Sequence, residues 1–421
     1  MGGAHDSGCI FSIDTNGNNY KDIFDFTGAN GKQPNSPLTL IGGLLYGTAN
    51  AGAAHDSGCV FSLDTNGSNY RDLFDFSGPN GKNPYNTLLL SGHTLFGIAD
   101  GGAHNLGCVF SIDTNGTNYK DIHNFSSVPS GEYPVGITLV GGVLYGMTLE
   151  GGAHTYGLIY AIDTNGNNYK DLFDFNNTNG LYPYGGLIYS AGQLFGATAD
   201  GGAHAYGMLF SVDTNGTAYK DLFDFSGTNG AQPEYAGGSL ALSGNVLYGT
   251  TYNGGLHDSG CIFSIDTNGS RYYDIYDFTG PAGAHPEGSL VLAGTVFYGA
   301  SAYGGTTHQG VIFSIDTSKV TTSVHQLSVN SGQLSIYPNP SDGIFTVSRS
   351  HAVRQLADQA SQTIRIFNVL GEEVYSASLP QTPKGAFNEI NISKQPDGVY
   401  LYRVLENDGS LVGEGKIVIQ K

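Results

Sequence analysis

Residues 151–175 read Gly151-Gly152-Ala153-His154-Thr155-Tyr156-Gly157-Leu158-Ile159-Tyr160-Ala161-Ile162-Asp163-Thr164-Asn165-Gly166-Asn167-Asn168-Tyr169-Lys170-Asp171-Leu172-Phe173-Asp174-Phe175. An apolar run of strand length, an Asn-Gly pair and a second alternating run make a β-hairpin, here assigned a type I′ turn. The Gly-Gly-Ala-His element recurs, with near variants, at His5, His55, His104, His154, His204, His257 and His308, at intervals of 50, 49, 50, 50, 53 and 51 residues. Further along each unit, a second hairpin is expected, as at Leu88 to Leu90 and Thr94 to Ile98 around Ser91-Gly92-His93. Four antiparallel strands in about 50 residues is the dimension of a propeller blade, whereas solenoid turns are shorter.

The expected fold is therefore all-β: a β-propeller of six four-stranded blades, or seven if sequence precedes residue 1. In this reading the last unit, from Ser289 through Ile315, lacks its outer strand, and Tyr20 to Phe26 supplies it to close the ring. Met1 is followed at once by the interior of a repeat, so the true N-terminus and a signal peptide are expected to be missing.

Composition fits short strands and tight turns: 64 Gly, 27 Tyr, 22 Phe and no Trp among 421 residues, with 13% charged. The net charge of −19 lies wholly before residue 318, where 8 Lys/Arg face 27 Asp/Glu; from there on 9 face 9. An acidic surface repels phosphate backbones, so no nucleic acid is expected as a partner. No apolar run reaches the length of a membrane helix, so no membrane span is expected. Cys9, Cys59, Cys108 and Cys261 occupy one repeat position that Leu158, Met208 and Val311 fill elsewhere, which reads as buried free thiols rather than a disulfide framework.

The repeated histidines are the first candidate site. They read as residues bonded to their own glycine turn, as ligand contacts, or as metal ligands; a ring separates them too widely for one zinc ion. His5, His55, His104, His154, His204, His257 and His308 are taken as candidate ligand-binding residues, together with Tyr184 and Tyr235. No metal and no cofactor are expected. The Asp14 to Asn18 segment lacks the closing glutamate of a calcium loop and reads as turn chemistry. Tyr46, Tyr145, Tyr248 and Tyr298 alternate with Phe96 and Phe195 at one position, which points to packing between blades. Lys21, Asp22 and Asp25, repeated at Lys170, Asp171 and Asp174, read as charges guarding an outer edge. Unit-specific residues include Asn124, Glu132, Glu150, Tyr182, Glu234 and Glu287. No nucleophile with an attendant base stands out, so no catalytic residue is assigned.

The pattern at Leu247 to Gly255 and Gly260 to Asp266 resembles the Gloeo/Verruco tandem repeat of bacterial secreted proteins, over residues 2 to 317. That resemblance implies repetitive β-structure and export, and no known activity.

After a linker at 318–333, residues 334–421 hold seven alternating runs: Leu334 to Tyr337, Ile344 to Ser348, Thr363 to Asn368, Glu373 to Ser378, Glu389 to Ile392, Val399 to Leu405 and Gly415 to Ile419. They predict a small Ig-like β-sandwich. The landmarks Pro338, Asn339 and Pro340, Gly371, Gly398 with Tyr400, and Lys416 to Lys421 resemble the type A C-terminal sorting domain of type IX secretion in Bacteroidetes-type bacteria. This implies the type IX secretion machinery as a partner and an extracellular or outer-membrane-surface location. The combined expectation is a non-catalytic binding or scaffold protein whose propeller face meets an extracellular glycan or protein. A secreted carbohydrate-active enzyme or accessory module, and a structural surface-layer component, are the alternatives.

Overall fold

Glycine in the Asn-Gly pair does two things at once, and both follow from the strands around it. The computed structural model describes residues 2–126, 129–234, 238–305, 307–317, 334–337, 341–349, 362–368, 373–379, 388–405 and 411–421. In the hairpin of Cys59–Asp64 with Arg71–Asp75, Gly67 donates its N–H to the Asp64 carbonyl at 2.9 Å and sits at φ +86°. Asn66 keeps a negative φ, its Oδ1 accepting the Ser68 N–H at 2.9 Å, and Asn69 takes φ +54°. The loop is thus longer than the expected type I′ turn, because left-handed backbone falls on Gly67 and Asn69 instead of on the two central residues. A side chain at Gly67 would also collide with the Ile23 carbonyl of the preceding outer strand.

Each repeat folds as an antiparallel sheet in chain order, strands a to d from hub to rim. Blade 1 comprises Thr39–Ile41, Leu44–Ala49, Cys59–Asp64 and Arg71–Asp75. Blade 2 has Lys82–Ser91, Thr94–Asp100, Cys108–Asp113 and Lys120–Asn124. Blade 3 has Glu132–Val140, Val143–Glu150, Leu158–Asp163 and Lys170–Asp174. Blade 4 has Ile188–Ser190, Gln193–Thr198, Met208–Asp213 and Lys220–Asp224. In blade 5, strand a is split into Ala231–Pro233 and Ala241–Ser243, both paired with Val246–Asn253, and Cys261–Asp266 and Tyr273–Asp277 follow. The a strands of neighbours abut: Thr39 donates to the Leu88 carbonyl at 2.7 Å, and the Ser239 N–H to Ser289 Oγ at 2.9 Å.

The cores lie between blades. Six apolar clusters each join one face of a blade to the opposite face of the next, as where Tyr46 and Val60 meet Phe110 and Ile112. Along the rim runs a stacked ladder: Phe24 on Tyr70, Phe74 on Tyr119, His123 on Tyr169, Phe173 on Tyr219 and Phe223 on Tyr272, centroids 3.8 to 4.7 Å apart with nearly parallel rings. Each tyrosine hydroxyl also donates to a turn carbonyl of the preceding unit, as Tyr70 does to Asn30 at 2.7 Å and Tyr272 to Asn229 at 2.6 Å. Every such stack contributes about 0.5–1.5 kcal/mol beyond its buried area.

The two ends depart from the expectation. Lys21–Asp25 pairs with Cys9–Ser12, its own hairpin partner, and Val311–Asp316 pairs only with Val296–Tyr303 among the described residues. Five blades therefore have the full a-to-d order, flanked by a c–d hairpin and by an a–b–c sheet of Ala284–Ala293, Val296–Tyr303 and Val311–Asp316. The local hairpin keeps the N-terminal strand because its partner is close in sequence, so pairing costs little loop entropy.

Residues Met1–Val320 and Thr321–Lys421 form two compact units. The second has sheets of three strands, Leu334–Tyr337, Ile344–Arg349 and Asn388–Asn391, and of four, Glu373–Leu379, Gln362–Phe367, Gly398–Leu405 and Leu411–Ile419. Phe345 and Ile390 from one sheet share a core with Ile364, Ile366, Tyr402 and Ile417 from the other.

Candidate functional site

The histidine turns and the segments entering each blade meet on one side of the repeats. The turns from His55 to His308 join strands b and c, and those from His5 to His257 are pinned by the last residue of strand d. Asp25, Asp75, Asp174, Asp224 and Asp277 accept the backbone N–H of Ala4, Ala54, Ala153, Ala203 and Leu256 at 2.6 to 3.2 Å. Asn124 makes the same bond to Ala103 at 2.7 Å. The outer-strand carboxylates thus hold the turn, a role beyond guarding an edge. Asp171 and Asp274, three residues before these latches, are pushed up to about 6 and about 7 by burial and by the neighbouring carboxylate.

His5, His55, His104, His154, His204, His257 and His308 are all exposed. The bonds holding their turns run through the backbone and the Asp latches; the carbonyls of His5, His55 and His257 accept the serine two residues on. Among the described residues, no group of three or more His, Cys, Asp or Glu is placed to hold a metal ion.

A second set of residues on this side was only partly visible in the sequence. The residue before each entry proline, Gln33, Asn83, Tyr133, Tyr182, Gln232 and His285, lies at φ between +47° and +57°. Its N–H donates to the second residue after the preceding histidine, Ser7, Ser57, Leu106, Tyr156, Tyr206 and Ser259, at 2.8 to 3.2 Å. Left-handed backbone costs a side-chain-bearing residue about 1 kcal/mol or more, and glycine would remove that cost. This chain uses glycine 64 times yet keeps an amide, a phenol or an imidazole here. Only Tyr182 stands out by unit-specific chemistry; the signal that finds the others is a variable polar residue fixed before a repeated proline.

The repeat symmetry breaks at the last units. His285 Nδ1 lies 2.9 Å from the Tyr252 carbonyl, and its ring packs 4.7 Å from Tyr252 and 5.7 Å, edge-on, from Tyr303. Tyr303 is 55% exposed, and Leu256, which replaces alanine before His257, is 71% exposed. Tyr184 is half-buried one residue beyond its proline; Tyr235 lies outside the described residues. Glu234, at the position equivalent to Tyr184, is sealed at 3% exposure. Its Oε1 accepts the Thr250 N–H at 3.2 Å, Oε2 has no hydrogen-bond partner among the described residues, and burial pushes its carboxyl up to about 8.

In the second unit, Tyr400 is buried with its hydroxyl donating to the Pro396 carbonyl at 2.8 Å, beside Gly398. Lys416 is exposed, and Lys421 donates from Nζ to the Gln395 carbonyl at 2.7 Å. Pro338, Asn339, Pro340, Gly371 and the 318–333 linker lie outside the described residues.

The Gloeobacter/Verrucomicrobia repeat family matches residues 1–141 and 137–345, and the secretion system C-terminal sorting domain matches 335–420. No curated protein matches the chain. Among solved structures, a nidogen/laminin complex is 16% identical over 65% of this chain and 89% of that chain, with TM-score 0.44. TolB from Acinetobacter baumannii is 13% identical over 63% and 59%, with TM-score 0.41. Oligogalacturonate lyase from Vibrio parahaemolyticus is 9% identical over 65% and 74%, with TM-score 0.42.

Proposed function

The chain belongs to the Gloeobacter/Verrucomicrobia repeat family and ends in a type IX sorting domain that delivers it to the cell surface or the extracellular space, and from that premise we propose that its propeller is a non-catalytic binding module. The binding face is the side carrying the seven histidine turns and the six pre-proline residues, and its ligand is an extracellular glycan or protein. The observation that carries this reading is the retention of amide and aromatic side chains at six left-handed positions where glycine would be less strained. Flat polar groups of this kind stack on and hydrogen-bond to sugar rings and loop backbones with little loss of side-chain freedom. The Tyr252, His285 and Tyr303 cluster supplies an aromatic surface on that side.

Glu234, the acidic residue buried at 3% exposure among the described residues, is read as part of the packing of blade 5. A glycan array read beside a hydrolysis screen on the same polysaccharides tests the proposal. Binding that falls at least tenfold in a Tyr303→Ala, His285→Ala double variant, with no new reducing ends, supports it. Reducing ends that accumulate with time would replace it with a carbohydrate-active enzyme, and absence of any bound glycan or protein would overturn the binding role.

A further inference from the structure

The side that carries the histidine turns changes character from one blade to the next. Two residues after the histidine stand Ser7, Ser57 and Ser259 in three units, but Leu106, Tyr156 and Tyr206 in three consecutive ones. The residue before the entry proline changes in step, from Gln33 and Asn83 to Tyr133 and Tyr182. Backbone hydrogen bonds join the two sets, the Tyr133 N–H reaching the Leu106 carbonyl at 2.8 Å and the Tyr182 N–H the Tyr156 carbonyl at 3.2 Å. Tyr206 is 46% exposed, and its ring lies over Gly227, where a methyl group would stand 3.3 Å from it. This phenol is therefore backed by a turn and open to solvent. In the next units Tyr252 and His285, with ring centroids 4.7 Å apart, continue the series.

Charge divides this side in the same way. Entering blades 1 and 2, the residue after the glycine of the connecting turn is Lys32 and Lys82; in the later units it is Glu132, Leu181, Ala231 and Ala284. Lys32 is paired with Asp56 at 2.7 Å. Between residues 101 and 317 every lysine or arginine, Lys120, Lys170, Lys220 and Arg271, lies at or just before the start of strand d. That is the opposite end of the strands from the histidine turns. From Tyr133 onward the histidine side thus offers rings, amides and carboxylates, with no lysine or arginine among the described residues.

We propose, resting on the binding role above, that the arc from Tyr133 through Tyr156, Tyr182 and Tyr206 to Tyr252 and His285 holds one linear, uncharged polysaccharide chain. Successive segments of the chain lie on the rings of successive units, a repeating surface matched to a repeating ligand. The C–H faces of neutral sugars stack on phenols, and their hydroxyls bond to the amides and imidazoles between them. A chain of uronates or sulfates would bring its charges against Glu132 and Glu150, which stand opposite each other on strands a and b of blade 3, with no lysine or arginine to pair with. A protein partner is suited to a compact apolar centre, whereas these rings form a row, each a unit apart. Because every unit adds a weak contact to one chain, affinity grows with ligand length.

Affinity electrophoresis of the full chain tests this in gels holding laminarin, hydroxyethyl cellulose, xyloglucan or galactomannan, with polygalacturonate as the acidic counterpart. At least one neutral polymer should retard the protein, and polygalacturonate should not. For the retarding polymer, calorimetric titration should show affinity rising about tenfold or more from its disaccharide to its hexasaccharide. A Tyr156→Ala, Tyr206→Ala double variant should lose about tenfold or more, while Gln33→Ala with Asn83→Ala, on the other part of the same side, should bind as the wild type does. Circular dichroism melts matching the wild type verify folding; if a melt falls, Tyr156→Leu and Tyr206→Leu keep the bulk and remove the ring. Retardation by polygalacturonate alone, affinity that does not depend on length, or binding that survives loss of both tyrosines would overturn the arc and leave the broader binding role standing. Failure of every neutral polymer to retard the chain would also overturn it, and the binding role would then rest on whatever acidic glycan or protein is found to bind.

Discussion

Replacing Glu234 by glutamine should stabilise the repeats, and by an amount that depends on pH. The carboxyl is 3% exposed, takes among the described residues one backbone hydrogen bond through Oε1 and none through Oε2, and is displaced from its ordinary 4.5 to about 8 by loss of solvent. Two glycines make room for the carboxyl: a methyl group at Gly249 would stand 2.5 Å from Oε1, and one at Gly238 2.8 Å from Oε2. For an acid raised on folding, the native state binds a proton that the unfolded chain gives up. Its stabilising effect is complete below pH 4.5, declines as pH rises, and is gone above about 8. At about 1.4 kcal/mol per pH unit, the decline across that window is about 5 kcal/mol. Glu234→Gln keeps the shape and cannot ionise, so the two proteins should be similar at pH 4.5 and differ by about 3–5 kcal/mol in the variant's favour at pH 8. Urea unfolding followed by tyrosine fluorescence suits a chain with 27 Tyr and no Trp. The raised carboxyls of Asp171 and Asp274 add their own pH dependence equally to both proteins and cancel in the comparison. A difference between the two proteins that stays flat from pH 4.5 to 8 would refute a buried, protonated Glu234.

Asp174→Ala should cost about 1–2 kcal/mol and loosen the turn at His154, read as faster amide exchange at Ala153, whereas Asp174→Asn should be near neutral because Asn124 already makes the equivalent bond. His123→Phe restores the ring found at the sibling positions Phe74 and Phe173 and removes a buried Nε2 that has no hydrogen-bond partner among the described residues, so the melting temperature should rise. Burial lowers the His123 imidazole to about 4; a base depressed on folding loses stability as pH falls from its ordinary 6.5 toward 4, so the gain from phenylalanine should grow in acid, and a gain that shrinks in acid would contradict the assignment. Native alkylation should label half-buried Cys9 well before buried Cys59, Cys108 and Cys261, and denatured, unreduced protein should label at all four; a disulfide-linked peptide pair would contradict the free thiols.

Local periodicity made much of this fold readable. The Asn-Gly hairpin, the apolar run from Leu158 to Ile162 and the seven runs after residue 334 each report on a strand through its own residues, and the structure has strands at those places. The shared position of Tyr46, Phe96 and Phe195 identified packing between blades, since a hydroxyl that comes and goes cannot be the reason for burial. Contacts that span one repeat were less accessible. The Tyr70 to Asn30 bond and the Phe24 stack join residues 40 and 46 positions apart, and no local pattern distinguishes them from a generic aromatic strand. Asp25 and Asp174 looked like edge charges because their partners are backbone N–H groups, which leave no mark in a sequence. The turn type was misjudged for a related reason: Asn-Gly signals left-handed backbone, but the bonds closing the loop shift it to Gly67 and Asn69. At the candidate site, the histidines stood out by repetition, while the pre-proline residues hid behind their variability, the property expected of positions that meet a ligand.

Export of the full chain is the most direct measurement of what the molecule is for. The terminal strand Leu411–Ile419 pairs along the whole of Gly398–Leu405 and carries Ile417 and Ile419 into the core of the sorting unit. Expressed behind a signal peptide in a bacterium with type IX secretion, the intact chain should reach the surface or the medium, shortened near the segment that joins the two units. A chain lacking Lys416–Lys421 should fold its repeats, shown by an unchanged repeat-domain melt, and remain in the periplasm. Display of that shortened chain at the level of the intact one would contradict the account, because the second unit would then not be what carries the propeller out of the cell.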